Sequence, residues 1–267
     1  MRRIAVVIPY YNAEAWLSRC LNSIDERFKV VLIDDNSSDG SRAIADAYAQ
    51  AHPSATSWSV AVPPFNVSAA RNTGLLYLYH VEDIDERPDY ITFLDADDAF
   101  TPDAWAQINA AIDEAEGAEI IQLNHKRQRG EGPPTVKFWN RRGWYGLRDL
   151  PTLWVLVWNK VYKTELLKGV RFDTDLIHGE DEIFNLECLA KTRGIYNSER
   201  VAVAHYFNNP QCLSKTCTGG DLIAEQRALL CFIADHQGDE DLTEAVRLRQ
   251  LELWTNKKYR QTFGGLA

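Results

Sequence analysis

The sequence predicts an α/β protein, a mostly parallel sheet flanked by helices with further helices at the C-terminus. Three observations predict it. Short apolar runs without polar alternation recur through residues 1–125, as in strands covered on both faces. Between them lie amphipathic segments of about 10–15 residues, the length of the helices in βαβ units. Three of the runs end in polar or acidic residues, at the edge where such sheets gather ligands.

Taken in order, Ile4-Ala5-Val6-Val7-Ile8 is the first strand, ended by Pro9-Tyr10-Tyr11-Asn12. From Ala13 to Ile24, Trp16, Leu17, Cys20, Leu21 and Ile24 recur at helical spacing. Val30 to Ile33 is a second strand, closed by the turn-forming stretch Asp34-Asp35-Asn36-Ser37-Ser38-Asp39-Gly40. A helix follows over Ser41 to Ala51, then a weaker strand over Trp58 to Val62 and a helix over Ser68 to His80. Tyr90-Ile91-Thr92-Phe93-Leu94 is the fourth strand and runs straight into Asp95-Ala96-Asp97-Asp98. Thr101-Pro102-Asp103 starts a helix reaching Glu116, and Ala118 to Leu123 is a strand.

The pattern then changes. Lys126 to Gly146 is basic and carries Gly and Pro, as in an irregular insertion. Leu153 to Tyr162 is rich in tryptophan, and Phe172 to Gly179 leads into a helix over Asp181 to Lys191. Val201 to Phe207 reads as a late strand, Asn208 to Gly220 as a polar loop, and Asp221 to Asp235 and Asp239 to Phe263 as helices. These divide into an α/β half at 1–125, a second half of the same domain at 126–220, and a helical appendage at 221–267.

Composition narrows the function. The charged fraction of 25% and hydrophobic fraction of 45% belong to a folded chain. A net charge of -9 argues against a general nucleic-acid binder, whose affinity rests on neutralising phosphates. Five scattered cysteines with no CxxC pair imply reduced thiols and a cytoplasmic location. Met1-Arg2-Arg3-Ile4 passes directly into a strand, unlike a signal peptide, and no run approaches the roughly 18 apolar residues of a membrane span.

The fourth strand's acidic end has two readings on residues alone. Carboxylates are too costly to bury unpaired, so Asp95, Asp97 and Asp98 form either a divalent-metal and phosphate site or a solvated turn capping the next helix. Similar pairs of readings hold elsewhere. Asp34-Asp35 can serve as hydrogen-bond acceptors for a ligand or as an Asx turn; Arg71 can clamp phosphate or form a surface ion pair. The acidic Glu180-Asp181-Glu182 can supply a general base or complement a helix dipole.

Six motifs in register bear on the choice. Ile-Pro-Tyr-Tyr-Asn, Val-Leu-Ile-Asp-Asp-Asn-Ser-Ser-Asp-Gly-Ser, Ala-Ala-Arg-Asn-Thr-Gly-Leu, Phe-Leu-Asp-Ala-Asp-Asp, Trp-Asn-Lys-Val-Tyr and Gly-Glu-Asp-Glu-Ile-Phe occur in that order. Together, from Ile4 to about Phe207, the chain resembles the family 2 glycosyltransferases, inverting enzymes of the GT-A (Rossmann-like) fold. The resemblance implies a metal-dependent enzyme moving a sugar from a nucleotide-diphosphate donor, UDP-linked, to a glycan or lipid-linked acceptor in bacterial surface polysaccharide synthesis. It assigns nucleotide-sugar binding to residues 1–125 and the acceptor and catalytic base to 126–220.

Residue by residue, Asp95-Ala96-Asp97 corresponds to the DXD motif, with Asp97 and Asp95 as ligands of Mn²⁺ or Mg²⁺. Pro9, Tyr11 and Asn12 would lie under the base and ribose, Glu14 would reach the ribose, and Asp35 would accept from the N3–H of uracil. Arg71 would sit near the diphosphate. Asp181 matches the catalytic base, with Glu180 beside it; Trp158, Asn159 and Lys160 border the acceptor. His205 is a further metal or phosphate contact in some relatives, while Asp98 stays divided between ligand and helix cap. The chain departs from the family after Tyr206-Phe207, where relatives carry an arginine; Lys215 or His205 is the substitute here. A basic, aromatic last helix (Arg247, Arg249, Lys257, Lys258, Arg260, with Trp254, Tyr259 and Phe263) has two readings, peripheral contact with the inner membrane or a solvated face. The alternatives to a glycosyltransferase are a nucleotidyltransferase, whose Gly-rich basic loop is missing from Pro9 to Glu14, and a catalytically silent nucleotide-sugar-binding protein.

Overall fold

The computed structural model describes residues 2–80, 87–128, 134–137, 141–147, 149, 156–192, 194–206, 209 and 218–255. Four strands of the first half align in parallel: β1 (Ile4–Tyr10) lies between β2 (Lys29–Asp34) and β4 (Tyr90–Phe93), and β3 (Ala55–Ser59) flanks β2. Helices α1 (Glu14–Asn22), α2 (Ser41–Ala51) and α3 (Val67–Tyr79) make the crossovers. The third strand sits a few residues earlier than its hydrophobicity predicts, because Trp58 is half exposed and Val62 lies outside the sheet.

Alternation along β1 shows why the strand is apolar throughout. Ala5 and Val7 join one core, and Ile4, Val6 and Ile8 join the other, so both faces are covered. The second core also holds Leu17 and Leu21 of α1 and Trp105 and Ile108 of α4 (Ala104–Glu114). Full burial of each such side chain stabilises by about 1.5–3 kcal/mol. On the opposite face α3 approaches β1 closely: a Cβ on Gly74 would lie 2.5 Å from Val7 Cγ1.

The second half completes the sheet by a route the sequence reading left without a strand. The Trp-Asn-Lys-Val-Tyr segment forms β9 (Lys160–Lys163), which pairs antiparallel with both β4 and β6 (Ile120–Gln128). β6 then pairs in parallel with β10 (Gly194–Tyr206), longer than the strand expected over 201–207. The expected irregular insertion also contributes order. β7 (Thr135–Lys137) pairs with β6, β8 (Gly143–Gly146) with β10, and the two-residue β5 (Ala99–Phe100) with β10, all antiparallel.

Helix α5 (Glu180–Thr192) packs on this half through Phe184, whose ring stacks on Phe172 at 3.9 Å. Helices α6 (Gly219–Asp235) and α7 (Glu240–Thr255) follow, α6 opening on a Thr218–Asp221 capping box. No helix among the described residues is long and apolar enough to cross a membrane. Lys215, Lys257, Lys258, Arg260, Tyr259 and Phe263 lie outside the described residues.

Candidate active site

The carboxyl ends of β1, β2 and β4 open on one cleft of about 1260 Å³, whose far wall is the first turn of α5. Each end is shaped by local hydrogen bonds. Asn12 takes a left-handed φ of 45° and its Oδ1 accepts from the Ser38 amide at 2.8 Å, lashing the β1 turn to the β2 turn. Asp34 Oδ1 accepts from the Ser37 amide at 2.9 Å, an Asx turn. Its neighbour Asp35 faces the cleft, with Oδ1 buried and without a protein hydrogen-bond partner. Burial, then the charge of Asp34, pushes the Asp35 carboxyl up to about 6.

Tyr11 is 61% exposed at the cleft, so its ring presents a face to whatever enters. Pro9 lines the cleft beside it. Glu14 does not line it: its Oε2 accepts from the Gly40 amide at 3.1 Å, against the start of α2. The ribose contact expected of Glu14 therefore has no support in its placement.

Arg71 is the hub of the site. It is 3% exposed, and Nη2 donates to Asp95 Oδ1 at 3.0 Å while Nη1 donates to Glu180 Oε1 at 3.1 Å and Asp181 Oδ1 at 2.7 Å. One guanidinium thus joins the end of β4 to the start of α5. Its helix is anchored to the same wall. Asn66 caps α3 and also bonds the Thr174 carbonyl, and Asn72 exchanges two 2.9 Å bonds with the backbone of Phe172. An uncompensated guanidinium could not be buried here, so the three carboxylates and the arginine require one another.

Asp181 Oδ2 accepts a second bond, from the Val157 amide at 3.1 Å. Burial raises the Asp181 carboxyl and Arg71 opposes the rise; Glu180 is raised by burial and by Asp181. The pair shares one proton more readily than isolated carboxylates would, as two like charges in a buried turn must.

Oxygens of Asp95, Asp97 and Asp98 lie within 4.8 Å of one another. They are not equivalent. Asp98 is fully buried and outside the cleft lining, bonded to His205 Nδ1 at 2.9 Å and to the Tyr206 amide at 2.9 Å. Asp95 and Asp97 face the cleft, with Asp97 Oδ2 accepting from Asn209 at 2.8 Å. Two open carboxylates of this kind suit a hard divalent cation. His205 lines the cleft, its ring stacked on Trp158 at 5.0 Å.

Trp158 also lines the cleft, but Asn159 and Lys160 do not. Asn159 is fully buried and donates to the Leu123 carbonyl; Lys160 is 2% exposed. Their expected contact with an acceptor does not fit that burial: Asn159 lies just before β9, tied to β6, and Lys160 opens the strand.

Some residues of the site carried no sequence signal. Arg19 donates to the Asp97 carbonyl and lies 3.8 Å over the Tyr206 ring, although it falls off the apolar stripe of α1. His125, within β6, meets Trp158 edge-on at 4.8 Å. Arg249 of α7 donates to buried Glu182 at 2.9 Å, so this member of the basic last helix faces inward.

Residues 5–175 match the family model described as glycosyl transferase family 2. The chain belongs to that family. Among curated relatives, the poly(ribitol-phosphate) β-N-acetylglucosaminyltransferase TarS of Staphylococcus aureus is 24% identical over 224 residues, 78% of this chain and 35% of that protein. The chain therefore spans about a third of the length of this glycosyltransferase. A crystal structure of S. aureus TarS 1–349 with UDP superposes with a TM-score of 0.76 at 19% identity, over 99% of this chain and 75% of the other; a TarS 1–349 structure with UDP-GlcNAc gives 0.72. The mannosyltransferase PcManGT of Pyrobaculum calidifontis, in complex with GDP-Man and Mn²⁺, gives 0.55 at 17% identity, over 98% of this chain and 83% of that one. The chain shares the fold of these glycosyltransferases, the GT-A sheet that the motifs implied.

Proposed function

We propose that this family-2 protein is an inverting glycosyltransferase that moves a sugar from a UDP-linked donor to a glycan or glycolipid acceptor in surface polysaccharide synthesis. The observation that carries the reading is the bridge through Arg71, which sets an acceptor-side carboxylate, Asp181, opposite the donor-side carboxylates Asp95 and Asp97 in one cleft. The TarS complexes with UDP and UDP-GlcNAc support a UDP donor.

In this reading Tyr11 packs on the base and Asp35, an acceptor when ionised, receives the N3–H of uracil. Asp95 and Asp97 would hold Mn²⁺ or Mg²⁺, which supplies Lewis-acid stabilisation of the leaving diphosphate when bound. Asp181 takes the proton of the acceptor hydroxyl as its oxygen bonds to the anomeric carbon. The bond from that carbon to the diphosphate oxygen breaks with its electron pair on the phosphate, so the configuration inverts. Arg71 and the Val157 amide hold the base, each using one of its oxygens and leaving lone pairs for the incoming proton. Trp158, 3% exposed and stacked under His205, backs the cleft and leaves no open face for the acceptor sugar expected of it.

Thermal-shift titration against UDP-GlcNAc, UDP-glucose, GDP-mannose and UDP, with and without Mn²⁺, tests the donor assignment. A UDP-sugar that raises the melting temperature only with Mn²⁺ is the expected result. Equal shifts with GDP-mannose, or none with any UDP compound, would overturn it.

A further inference from the structure

Lys160 is a buried cation that the proposed reaction does not use. Its Nζ donates to the Leu156 carbonyl at 2.5 Å and to Asn159 Oδ1 at 3.2 Å. Leu156 and Val157 share one peptide unit, and the N–H of that unit is the one that donates to Asp181 Oδ2 at 3.1 Å. We propose that Lys160 is a positioning residue for Asp181, acting through the Leu156–Val157 peptide. The proposal rests on the reading of Asp181 as the base.

The chemistry runs in one direction. An ammonium on the carbonyl oxygen draws electron density from the amide, so its N–H becomes a stronger donor. A stronger N–H donor on a carboxylate favours the ionised form. The base is thereby favoured in its ionised form against two opposing influences, its own burial and the charge of Asp95. The lever is also rigid. Lys160 opens β9, its carbonyl accepts from Thr92 Oγ1 at 2.8 Å, and Asn159 is tied to Leu123 of β6.

Stability alone gives little reason for an ammonium at this position. Replacing a buried ion by an apolar side chain of similar volume is often neutral or stabilising. Burial pushes the amine down to about 7, with Asp181 opposing. Below that pH Lys160 is charged and polarises the peptide that holds Asp181; above it the ammonium, and with it the polarisation, is lost.

Groups facing Asp181 come from four elements: Arg71 on α3, Asp95 after β4, Glu180 on α5 itself, and Lys160 and Tyr162 on β9. Arg71 bonds Asp181 directly and is unchanged in the variants below. A shift they produce therefore reports on Lys160.

The test is the pH dependence of Mn²⁺-stimulated UDP release from UDP-GlcNAc or UDP-glucose, with water as acceptor, in the full chain. Lys160→Met, Lys160→Gln and Asp181→Asn are compared with the parent. For Lys160→Met the acid limb of kcat moves up by about one pH unit, a roughly tenfold loss near pH 6 that fades to less than about twofold above pH 8. Lys160→Gln, which keeps a donor without the charge, shifts less, and KM for the donor stays within about twofold in both. An acid limb at the parent position in either folded variant overturns the proposal, whatever the size of kcat. So does failure of both variants to fold, which would make Lys160 a scaffold residue. If Asp181→Asn retains UDP release, or the parent releases none, the reading of the site fails first and takes this proposal with it. A dead Asp181→Asn with unshifted Lys160 variants removes only the role of Lys160.

Discussion

Arg71 donates to Asp181 at 2.7 Å and to Asp95 at 3.0 Å, so one buried side chain holds the two walls of the cleft at a fixed separation. The expectation for Arg71 is phosphate; its partners in the structure are carboxylates. A phosphate contact would have to be made by a guanidinium already committed to three acidic side chains. Its first duty is electrostatic, since the negative charge of Asp95 and of the Glu180–Asp181 pair could not be gathered there without it.

Removing that cation leaves buried carboxylates uncompensated. Arg71→Met is expected to destabilise by about 3–5 kcal/mol near pH 7.5, read as the urea midpoint. The deficit shrinks toward pH 5, where the carboxylates take up protons. Arg71→Lys recovers only part, because a point charge cannot fork between Asp95 and Asp181. A pH-independent deficit would show that packing against Phe172, not charge, is what Arg71 provides.

Asp181→Asn removes the proposed base while keeping its shape. Transfer should fall by about 10²–10⁴-fold in kcat with donor affinity little changed. Single-turnover transfer and calorimetric titration of the UDP-sugar measure the two separately. Activity within a few-fold of the parent would strike Asp181 from its role.

Asp97→Ala should abolish the part of UDP-sugar stabilisation that depends on Mn²⁺ while leaving the apo melting temperature near that of the parent. Differential scanning fluorimetry with and without Mn²⁺ reads this directly. An unchanged Mn²⁺ response would move the metal elsewhere.

Asp35 sets function against stability. Its carboxyl is raised to about 6, so the fold favours the protonated form. The stability it contributes is present below the ordinary carboxylate range and is lost as pH rises through about 6. Asp35→Asn should therefore melt higher than the parent at pH 7.5 and converge with it below pH 4. UDP binding should weaken in the same variant, because a charged acceptor for uracil N3–H is gone. Parent UDP affinity should likewise fall as pH drops below 6. A variant that melts lower at pH 7.5 would contradict the burial argument.

Gly74 sits where α3 touches β1. A methyl there would meet Val7 Cγ1 at 2.5 Å, so Gly74→Ala should cost about 1–3 kcal/mol in stability. Val7→Ala in the same chain should recover part of the loss, a coupling that a double-mutant cycle measures.

The parallel half was legible because its strands are apolar on both faces and its helices amphipathic, periodicities the residues state directly. The cleft was legible for the same reason: Asp35, Asp95 and Asp97 mark the ends of those strands, and the structure brings them together with Arg71 and Asp181. What escaped depends on pairing between distant segments. β9 falls at the end of the tryptophan-rich stretch Leu153 to Tyr162 and reads as no strand, since nothing local tells Lys160-Val161-Tyr162-Lys163 that two partners await it. Glu14 is expected at a ribose, and its carboxylate accepts instead from the Gly40 amide, a partner 26 positions away that local sequence does not announce. Asp98 went unassigned until His205, 107 positions away, supplied its partner. Arg19 gave no sign, and Arg249, read in the last helix as facing a membrane or solvent, turns inward to Glu182.

The antiparallel placement of β9 between β4 and β6 has a consequence for biosynthesis. As the chain leaves the ribosome, β4 and β6 emerge first, and each must wait with an open edge for a partner made later than both. Until Lys163 is clear of the exit tunnel the sheet cannot close, and the nascent chain exposes two strand edges able to pair with a neighbour. Truncation after residue 125, or a stall before β9, is thus expected to yield aggregates in place of a smaller folded unit.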